Sequence, residues 1–483
     1  MTPINSVPPE ILSHIFFHCL PCPKDDLTDP VHLFPPPPTP SECPLLVARV
    51  SSLWRAVAVS TPLLWASPVV EYRYTPRPTN PLYKATRMAL PLFELFLQRS
   101  AAYPLTAKLV FNERNDKRYL SALLRHIHHW NHISIDAADV LTDDDVALAL
   151  KEHQLRWRLP SSGLTLKSLQ LKLDLSLGNA NQHYVEWSSS ILSNATSLRK
   201  LHCFSEISLP LSGAISPHLT HIHIEGIGIP AKDALMLLAN GRALEQFSSG
   251  LITDPAVSGV GPFIFNTAPF TTQPEDTQQI IVPKLTHLRI KCCTVPSFID
   301  HFYSALSLPA LTNLVFEFQG HVWPHNEILA LLDRSQGCAI TSLSLKCISI
   351  TDVQLLDILR HPAVHNTLTE LKIWECTAAV TDDVVHALSV AKPSSILSEE
   401  GSSSTTMTVP SCFLPSLRTI IFHHCMVQSA GTLGRAIHSR VAHADHQGLR
   451  VFLTWFWPFE REDNALLGDL MKKGLVKDMV VRP

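Results

Sequence analysis

The sequence lacks an excess of charge of either sign, since 39 lysines and arginines stand against 42 aspartates and glutamates and leave a net charge of -3. A chain without a positive excess has no general attraction to nucleic acid or to acidic lipid. No run reaches the 18 apolar residues of a transmembrane candidate, and no basic N-terminal stretch leads into an apolar segment with a small-residue cleavage site. We therefore expect a soluble protein without a nucleic-acid or membrane partner.

The 11 cysteines lack the even count and regular spacing of a disulfide framework. They are scattered and lie mostly inside apolar runs, which is typical of reduced thiols that pack as small hydrophobic side chains. Reduced cysteines predict an intracellular protein, in the cytoplasm, the nucleus or both. The length of 483 residues exceeds what one compact core usually supports, so we expect two or more domains or an elongated repeat array.

Sequence motifs that would place a reactive group are missing as well. There is no GxxxxGK[ST] phosphate loop, no GxSxG nucleophile turn and no strand-linked GxGxxG. The prediction is a protein that is not an enzyme and has no catalytic residues.

Three groups of residues have spacings that a metal ion could use: Glu10, His14 and His18; Cys19 and Cys22; and His126, His128, His129 and His132. The first group lacks the glutamate between its histidines that a HExxH zinc site requires, and it suits the solvated face of an amphipathic helix. The cysteine pair has no second pair at zinc-finger distance. The third group approaches a predicted strand, in which neighbouring side chains alternate between faces. We expect neither a metal nor a cofactor, and a metal-dependent hydrolase stays as an alternative that bound zinc or iron would reveal.

What the sequence does contain begins with VPPEILSHIFFHCL, residues 7–20, which predicts a short helix that starts at two prolines. Pro8 and Pro9 suit a helix start, because the first N–H groups of a helix have no partner and the proline ring presets φ. Apolar side chains then recur at helical spacing on one face: Ile11, Leu12, Ile15, Phe16 and Cys19. Two to three turns are too short to be stable alone, so this face needs a partner.

A proline-rich insertion at residues 21–44 separates this segment from a second one, LLVARVSSLWRAVAVSTPLLWASPVV. The second segment predicts a helix whose apolar stripe is formed by Leu46, Val50, Leu53, Trp54, Val57 and Ala58. Pro62 is expected to end that helix before Leu64 and Trp65. Two short amphipathic helices are thus predicted to face each other.

The two segments, residues 7–20 and 45–66, resemble the F-box motif, in which a valine- or leucine-proline start, a Glu-Ile-Leu turn, a V(S/C)xxW(R/K) helix and a final LW recur. The proline-rich insertion departs from that pattern. The resemblance implies docking onto the Skp adaptor of cullin–RING ubiquitin ligases. The residues that it implies for adaptor contact are Pro8, Ile11, Leu12, Ile15, Val50, Trp54 and Trp65. Trp54 and Trp65 fit the core of the helical module equally well.

The rest of the chain contains ten units of the form LxxLxL. Their first apolar residues are Leu166, Leu198, Leu219, Leu244, Leu285, Leu311, Ile340, Leu368, Leu417 and Leu449. Most steps between them fall near the roughly 20 to 29 residues of a leucine-rich repeat, and the longer steps leave room for insertions. Alternation within each unit predicts a short strand with its leucines inward, and helical patterns such as DVQLLDILRH follow. Strand and helix in repetition predict a curved α/β solenoid.

Cysteine recurs three residues after the last strand hydrophobe in three units, at Cys293, Cys376 and Cys425, where we expect a buried small thiol. With ITD at residues 350–352 and VTD at residues 380–382, the units resemble the cysteine-containing leucine-rich repeats found behind many F-boxes. The stretches LFELFLQRSAAYPLTAKLVF and LLRHIHHWNHISI resemble the lead-in of F-box proteins that are abundant in fungi.

The domain prediction follows from these resemblances. It comprises an all-α, F-box-like helical module at residues 1–66, a lead-in and first repeat region at 67–160, and a leucine-rich-repeat solenoid at 161–483. Insertions are expected near 254–282 and 393–410, and a helical run near the C-terminus is expected to cap the array.

Side chains that alternate outward along the predicted strands are the candidates for substrate recognition. The predicted substrate-binding residues are Arg289, Lys291, Lys346, Lys372 and Trp374. The outward set also contains His202, His223, Glu225, Glu317 and His423. A mildly basic row with one tryptophan suits an acidic or phosphorylated peptide, and an ordinary mixed polar surface is the alternative.

Together the resemblances imply a non-catalytic substrate receptor of an SCF-type ubiquitin ligase. Such a protein binds the Skp adaptor, and through it a cullin, and holds a protein substrate on its repeats. The alternative is a repeat scaffold whose N-terminal segment only caps the array and binds no adaptor. The two differ in whether the first helix faces outward or is covered by residues 67–160.

Overall fold

A computed structural model describes most of the chain. The described residues are 7–20, 34–35, 39–71, 88–111, 117–137, 164–172, 190–204, 217–253, 279–292, 302–318, 323–376, 379–389, 413–423, 425, 429–442, 449–454, 461–473 and 481–482. The predicted insertion near 393–410 lies outside them, as do most of the insertions at 21–44 and 254–282.

The chain divides into two compact units, Met1–Ile227 and Gly228–Pro483. Each unit is a mixed α/β structure with a parallel sheet, which confirms the predicted α/β class at that level. The predicted boundary at 66/67 lies inside the first unit, and the one at 160/161 lies outside the described residues. Both boundaries stay predictions.

The first unit begins with helices. Its N-terminal helices are α1 at Pro9–His18, a 3₁₀ helix at Val47–Arg49, α2 at Ser52–Val59 and a second 3₁₀ helix at Pro62–Trp65. Pro8 occupies the N-cap position of α1 and Pro9 its first turn, as predicted. The single helix predicted from Leu46 to Ala58 is wrong, because Ser51 has extended backbone and caps α2 by accepting a hydrogen bond from the Trp54 N–H at 3.1 Å.

The remaining elements of the first unit alternate between helix and strand. They are β1 at Val69–Val70, α3 at Leu90–Arg99, β2 at Leu105–Val110, α4 at Lys117–Leu124, β3 at Trp130–Asp136, β4 at Ser168–Lys172, β5 at Lys200–Cys203 and β6 at His221–Pro230, whose last three residues belong to the second unit. These strands pair in parallel in their order along the chain.

The second unit continues the alternation. Its helices are α5 at Ala231–Asn240, α6 at His325–Arg334, α7 at Asp352–Arg360, α8 at Pro362–His365, α9 at Asp382–Leu388, α10 at Thr432–Ala442 and α11 at Arg461–Lys472. Its sheet contains, in spatial order, β7 at Gln246–Thr253, β9 at His287–Cys292, β11 at Asn313–Phe318, β12 at Ser342–Lys346, β13 at Glu370–Trp374, β14 at Thr419–His423, β15 at Arg450–Thr454 and β16 at Val481–Arg482. Strands β8, Ile280–Ile281, and β10, Leu306–Ser307, form a separate parallel pair.

Parallel pairing places equivalent residues of successive strands side by side in the second unit. The inward row is Leu288, Leu314, Leu343, Leu371, Ile420 and Val451, and every member is buried. The inward leucines predicted from alternation are therefore confirmed in this unit. The same register leaves the intervening residues of each strand on the opposite face of the sheet, where they form the surface described below.

Threonine hydroxyls tie the starts of the strands together. The hydroxyl of Thr312 donates to the Thr286 carbonyl at 3.1 Å, that of Thr341 to the Thr312 carbonyl at 3.3 Å, and that of Thr369 to the Thr341 carbonyl at 2.9 Å. The threonine that follows the first apolar residue in units such as LTNLVF and LTELKI forms this ladder, and its hydroxyl adds to the backbone N–H bonds at the same carbonyl.

Two of the three cysteines predicted to be buried are described, and both are buried. The Cys376 thiol donates to the Leu345 carbonyl at 3.7 Å and the Cys425 thiol to the Ile373 carbonyl at 3.5 Å, so each connects neighbouring strand ends. Burial raises the pKa of Cys376 to about 11 and that of Cys425 to about 12. Cys293 lies outside the described residues.

Aspartate and threonine at the helix starts connect neighbouring strand–helix repeats within the second unit. Thr351 and Gln354 form a capping box on α7, so threonine, and not the aspartate that follows it, is the N-cap. The Thr381 hydroxyl donates to Asp352 Oδ2 at 3.0 Å, and the Ser429 N–H donates to Asp382 Oδ1 at 3.1 Å. The ITD and VTD motifs therefore form hydrogen bonds between one strand–helix repeat and the next.

Candidate partner-binding surfaces

The N-terminal helices expose an unusual share of apolar side chains. Ten large hydrophobic side chains are exposed among the described residues, and six of them belong to this segment: Ile11, Ile15, Phe17, Leu46, Val50 and Val59. Scattered exposed hydrophobic residues are normal, whereas their concentration in one short segment indicates an interaction site. We call Ile11, Ile15, Leu46 and Val50 the N-terminal apolar residues.

The apolar stripe of α1 is divided between core and solvent. Leu12 and Phe16 are completely buried, and the Phe16 ring contacts Trp54 with 5.0 Å between ring centroids. Ile11 and Ile15, one turn apart on the neighbouring side, are 52% and 43% exposed. Helix α1 thus packs against α2 with half of its stripe and leaves the other half open.

The residues predicted to contact an adaptor therefore separate into two sets. Pro8, Ile11, Ile15 and Val50 are exposed, Val50 by 56%, and can reach a partner. Leu12 is completely buried, so its predicted direct contact with an adaptor does not fit its position.

Trp65 lies in the core of the helical module, which is the alternative that the sequence left open beside adaptor contact. Its side chain is completely buried, its Nε1–H donates to the Ala58 carbonyl at 2.7 Å, and its ring meets Phe96 at 5.0 Å. The Arg99 guanidinium lies 4.4 Å from the ring centroid on one face. Trp54 is partly buried against Phe16, and its Nε1 has no hydrogen-bond partner among the described residues.

On the outward face of strands β9, β11 and β12 in the second unit, three cationic side chains surround one buried carboxylate. The Glu317 side chain accepts a hydrogen bond from Lys346 Nζ at 2.9 Å, and lies 3.5 Å from Arg289 Nη2 and 3.7 Å from Lys291 Nζ. Glu317 is only 4% exposed, while the three cationic side chains remain partly open to solvent. We call these four residues the Glu317 cluster.

The cluster sets its own protonation states. Burial alone would raise the pKa of Glu317, but the hydrogen bond from Lys346 and the charges of Lys346, Lys291 and Arg289 outweigh it and lower that pKa. The hydrogen bond to Glu317 in turn raises the pKa of Lys346 despite partial burial, and Glu375 adds to that effect. The lowered pKa of Glu317 and the raised pKa of Lys346 both favour the charged forms of these two side chains.

The other two predicted substrate-binding residues lie beside the cluster. Lys372 pairs with Glu370 at 3.0 Å on its own strand, so it is not a member of the cluster. Trp374 stacks on His423 of the next strand, with 4.9 Å between ring centroids and 14° between the ring planes. Alternation along the strand predicted that Glu317 faces outward. It did not predict that Glu317 pairs with three cations, because that pairing depends on which strands are neighbours.

The first unit has a pair of neighbouring histidines, His202 on β5 and His223 on β6. The rings of His202 and His223 meet edge to face at 4.0 Å, and His223 Nε2 lies 2.8 Å from Glu225 Oε1. Burial and the neighbouring His223 lower the pKa of His202 to about 3. Both ring nitrogens of His202 are buried without a hydrogen-bond partner among the described residues.

The described residues contain no group of three or more histidine, cysteine, aspartate or glutamate side chains arranged to hold a metal ion. Cys22, half of the CxxC pair, lies outside them. In the third group, burial and neighbouring cationic residues lower the pKa values of His126, His129 and His132. Among the helices that the structure describes, none is long and apolar enough to cross a bilayer.

Comparisons with known proteins add little to this geometry. No protein-family profile matches the chain, and no curated protein matches it. Among solved structures, a chain from the Rad7 and Elc1 complex in yeast is similar at 15% sequence identity and a TM-score of 0.32. The match covers 59% of this chain and 65% of that chain, which is less than two thirds of the neighbour's length. A likeness this weak supports no conclusion about function.

Proposed function

We propose that the protein is the non-catalytic substrate-recognition subunit of an SCF-type ubiquitin ligase. It binds the Skp adaptor through its N-terminal helices and a protein substrate through the outward strand faces of its leucine-rich repeats, inside the cell. The observation that carries the proposal is the set of N-terminal apolar residues on a proline-started helix, in the segment that resembles the F-box. The alternating strands and helices of the two units suit the repeat half of such a protein.

The exposed and buried residues of the helical segment have different parts in this proposal. Ile11, Ile15 and Val50 contact the adaptor, with Pro8 beside them at the start of α1. Each is already about half covered, so completing the burial contributes on the order of 1 kcal/mol per side chain. Leu12, Phe16, Trp54 and Trp65 instead hold the helices at the angle that presents this surface.

No residue of this chain need take part in ubiquitin transfer. A receptor that holds substrate and adaptor together raises the effective concentration of the substrate at the ligase, and that proximity lowers the barrier. We therefore assign the chain neither catalytic residues nor a cofactor.

The test is calorimetric titration of the purified Skp adaptor into the full chain. We expect submicromolar binding by the wild type and loss of binding in an Ile11→Asp, Ile15→Asp double variant, because charges there cannot be buried in an apolar interface. The matched control is Val353→Asp, since Val353 is a 62% exposed apolar residue on helix α7 of the second unit. That control should bind as the wild type does.

Circular dichroism and thermal unfolding must show that both variants are folded. Absence of binding by the folded wild type would contradict the proposal and leave a repeat scaffold that uses no adaptor. Equal binding by the double variant would place the adaptor elsewhere on the chain.

A further inference from the structure

Three cationic residues lie together where strands β4 and β5 of the first unit begin. Lys167 directly precedes β4, Arg199 directly precedes β5, and Lys200 is the first residue of β5. The Lys167 carbonyl accepts hydrogen bonds from the N–H groups of Arg199, at 2.8 Å, and of Lys200, at 3.0 Å, so the two chain segments are direct neighbours. Lys167 and Arg199 are exposed, and Lys200 is half-buried. We call these three residues the strand-start cations.

Elsewhere on the same strands, lysines are paired with carboxylates. Lys108 Nζ on β2 lies 3.1 Å from Glu71 Oε2, and Lys172 Nζ on β4 lies 3.2 Å from Asp136 Oδ2 on β3. The strand-start cations form no such ion pair with any residue that the structure describes. Like charges on directly neighbouring strands repel each other, which costs stability until an anion compensates them. This edge of the sheet is therefore suited to an anionic ligand.

His132 on β3 shows how far the positive field of this edge extends. Parallel register places His132, Ser168 and Lys200 side by side on β3, β4 and β5. Burial lowers the pKa of His132, and the charges of Lys167 and Lys200 lower it further. Because neighbouring strands lie about 4.8 Å apart, the field of these cations covers three strands, a width of about 10 Å.

This width decides between two kinds of anionic ligand. A phosphate group concentrates its charge at one point, where several cations converge on it. The strand-start cations instead follow the edge of the sheet from one strand to the next. An extended peptide advances about 3.3 Å per residue, so carboxylates on alternate residues lie about 7 Å apart on one side. Two or three such carboxylates match the width of the edge better than one phosphate does.

We propose that the strand-start cations bind an acidic segment of a protein substrate, with aspartate or glutamate at alternate positions. The inference rests on the proposed function, because it names the class of substrate segment that the receptor would hold. It adds Lys167, Arg199 and Lys200 to the candidate substrate-binding residues, and none of the three was predicted from the sequence.

The test is fluorescence polarisation of the full chain with a labelled peptide of alternating Asp and Ser, about twelve residues long, at low ionic strength. The wild type should bind this peptide, and a Lys167→Glu, Arg199→Glu variant should bind it at least about tenfold more weakly. The matched control is Arg418→Glu, Arg450→Glu. These two arginines are also exposed neighbours at strand starts, but in the second unit, with Glu370 on the next strand. The control should change the affinity less than about twofold.

Changes in the probe keep the test independent of protein folding. A peptide with Asn in place of every Asp should not bind the wild type measurably, because only the charges differ. Absence of binding by the Asp peptide, equal binding by the Asn peptide, or equal weakening in the control variant would each overturn the inference. Tighter binding of a neutral peptide with one phosphoserine, or of an oligothymidine of the same length, would also contradict it, since either would show a different ligand.

The inference and the proposed function fail in different experiments. The adaptor titration depends on the N-terminal apolar residues and not on the strand-start cations. Adaptor binding without peptide binding would therefore contradict this inference and leave the proposed function standing.

Discussion

At the scale of single residues, Glu317 is the common partner of three cations in the second unit. Its carboxylate lies within 4 Å of Arg289, Lys291 and Lys346, and the residue is almost completely buried. Removing one member of a buried ion pair leaves its partners uncompensated, which costs more than the pair itself contributes. The stability of this sheet should therefore depend on Glu317.

We predict that Glu317→Gln lowers the free energy of unfolding by about 2 kcal/mol, because glutamine keeps a hydrogen-bond acceptor for Lys346 but removes the negative charge. Urea unfolding at neutral pH measures the change. The control is Glu370→Gln, whose carboxylate pairs with Lys372 at a more exposed site and should matter by less than about 1 kcal/mol. Equal effects of the two substitutions would contradict the special role of Glu317.

His202 should make the protein sensitive to acid. Its folded-state pKa of about 3 lies below the ordinary value of 6.5, because burial and His223 disfavour the charged ring. The unfolded state therefore binds more protons below pH 6.5, and the stability that the neutral ring preserves at higher pH is lost progressively as the pH falls from about 6.5 towards about 3. The slope is about 1.4 kcal/mol per pH unit for one such group.

We predict that His202→Gln removes this component of the pH dependence, since glutamine does not titrate. Urea unfolding of both proteins at pH 7, 6 and 5 should show the wild type losing about 2 kcal/mol more than the variant by pH 5. Taking the difference between the two proteins removes the part of the pH dependence that does not involve His202. A difference that does not change with pH would show that His202 is not held neutral.

Among the elements, α10 is held in the second unit by a buried arginine. Arg440 is 1% exposed and donates from its guanidinium to the Leu414 carbonyl at 3.2 Å and to the carbonyls of Leu388 and Phe413. These carbonyls lie on either side of the predicted insertion near 393–410, so one side chain joins α10 to the two chain segments before and after it. At Leu414 the guanidinium is a second donor, because the Leu417 N–H also donates to that carbonyl at 3.2 Å.

We predict that Arg440→Met, which keeps most of the side-chain volume, destabilises the protein by about 3 kcal/mol because it removes the guanidinium hydrogen bonds to three carbonyls. Thermal or urea unfolding measures the loss. Arg435→Met, on the exposed side of the same helix and paired with Glu462, is the control and should cost less than about 1 kcal/mol. A small effect at Arg440 would mean that water replaces its hydrogen bonds.

For the whole molecule, periodicity predicted the class and the position of the strands. Each of the ten LxxLxL units contains a strand of the structure, beginning one or two residues after its first apolar residue. Period-two alternation with buried leucines has few alternatives in short runs, and repetition strengthened each single assignment. The start of α1 at its prolines was equally predictable, because the missing N–H excludes those residues from the helix interior.

The surfaces were harder to predict because they depend on neighbours that the sequence does not name. Successive helical residues are separated by about 100°, so the α1 stripe is wider than one packing partner covers, and nothing local decides that Leu12 is inside while Ile11 is outside. Trp65 is buried by Phe96, thirty-one positions further along the chain. The Glu317 cluster likewise requires the pairing of β9, β11 and β12.

The central claim is that the N-terminal apolar residues bind an adaptor, and amide hydrogen exchange of the full chain with and without the Skp adaptor tests it most directly. The account predicts new protection in Pro9–His18 and in Val47–Val59, with exchange in the strands of the second unit unchanged. Protection confined to other parts of the chain, or none at saturating adaptor, would contradict the claim.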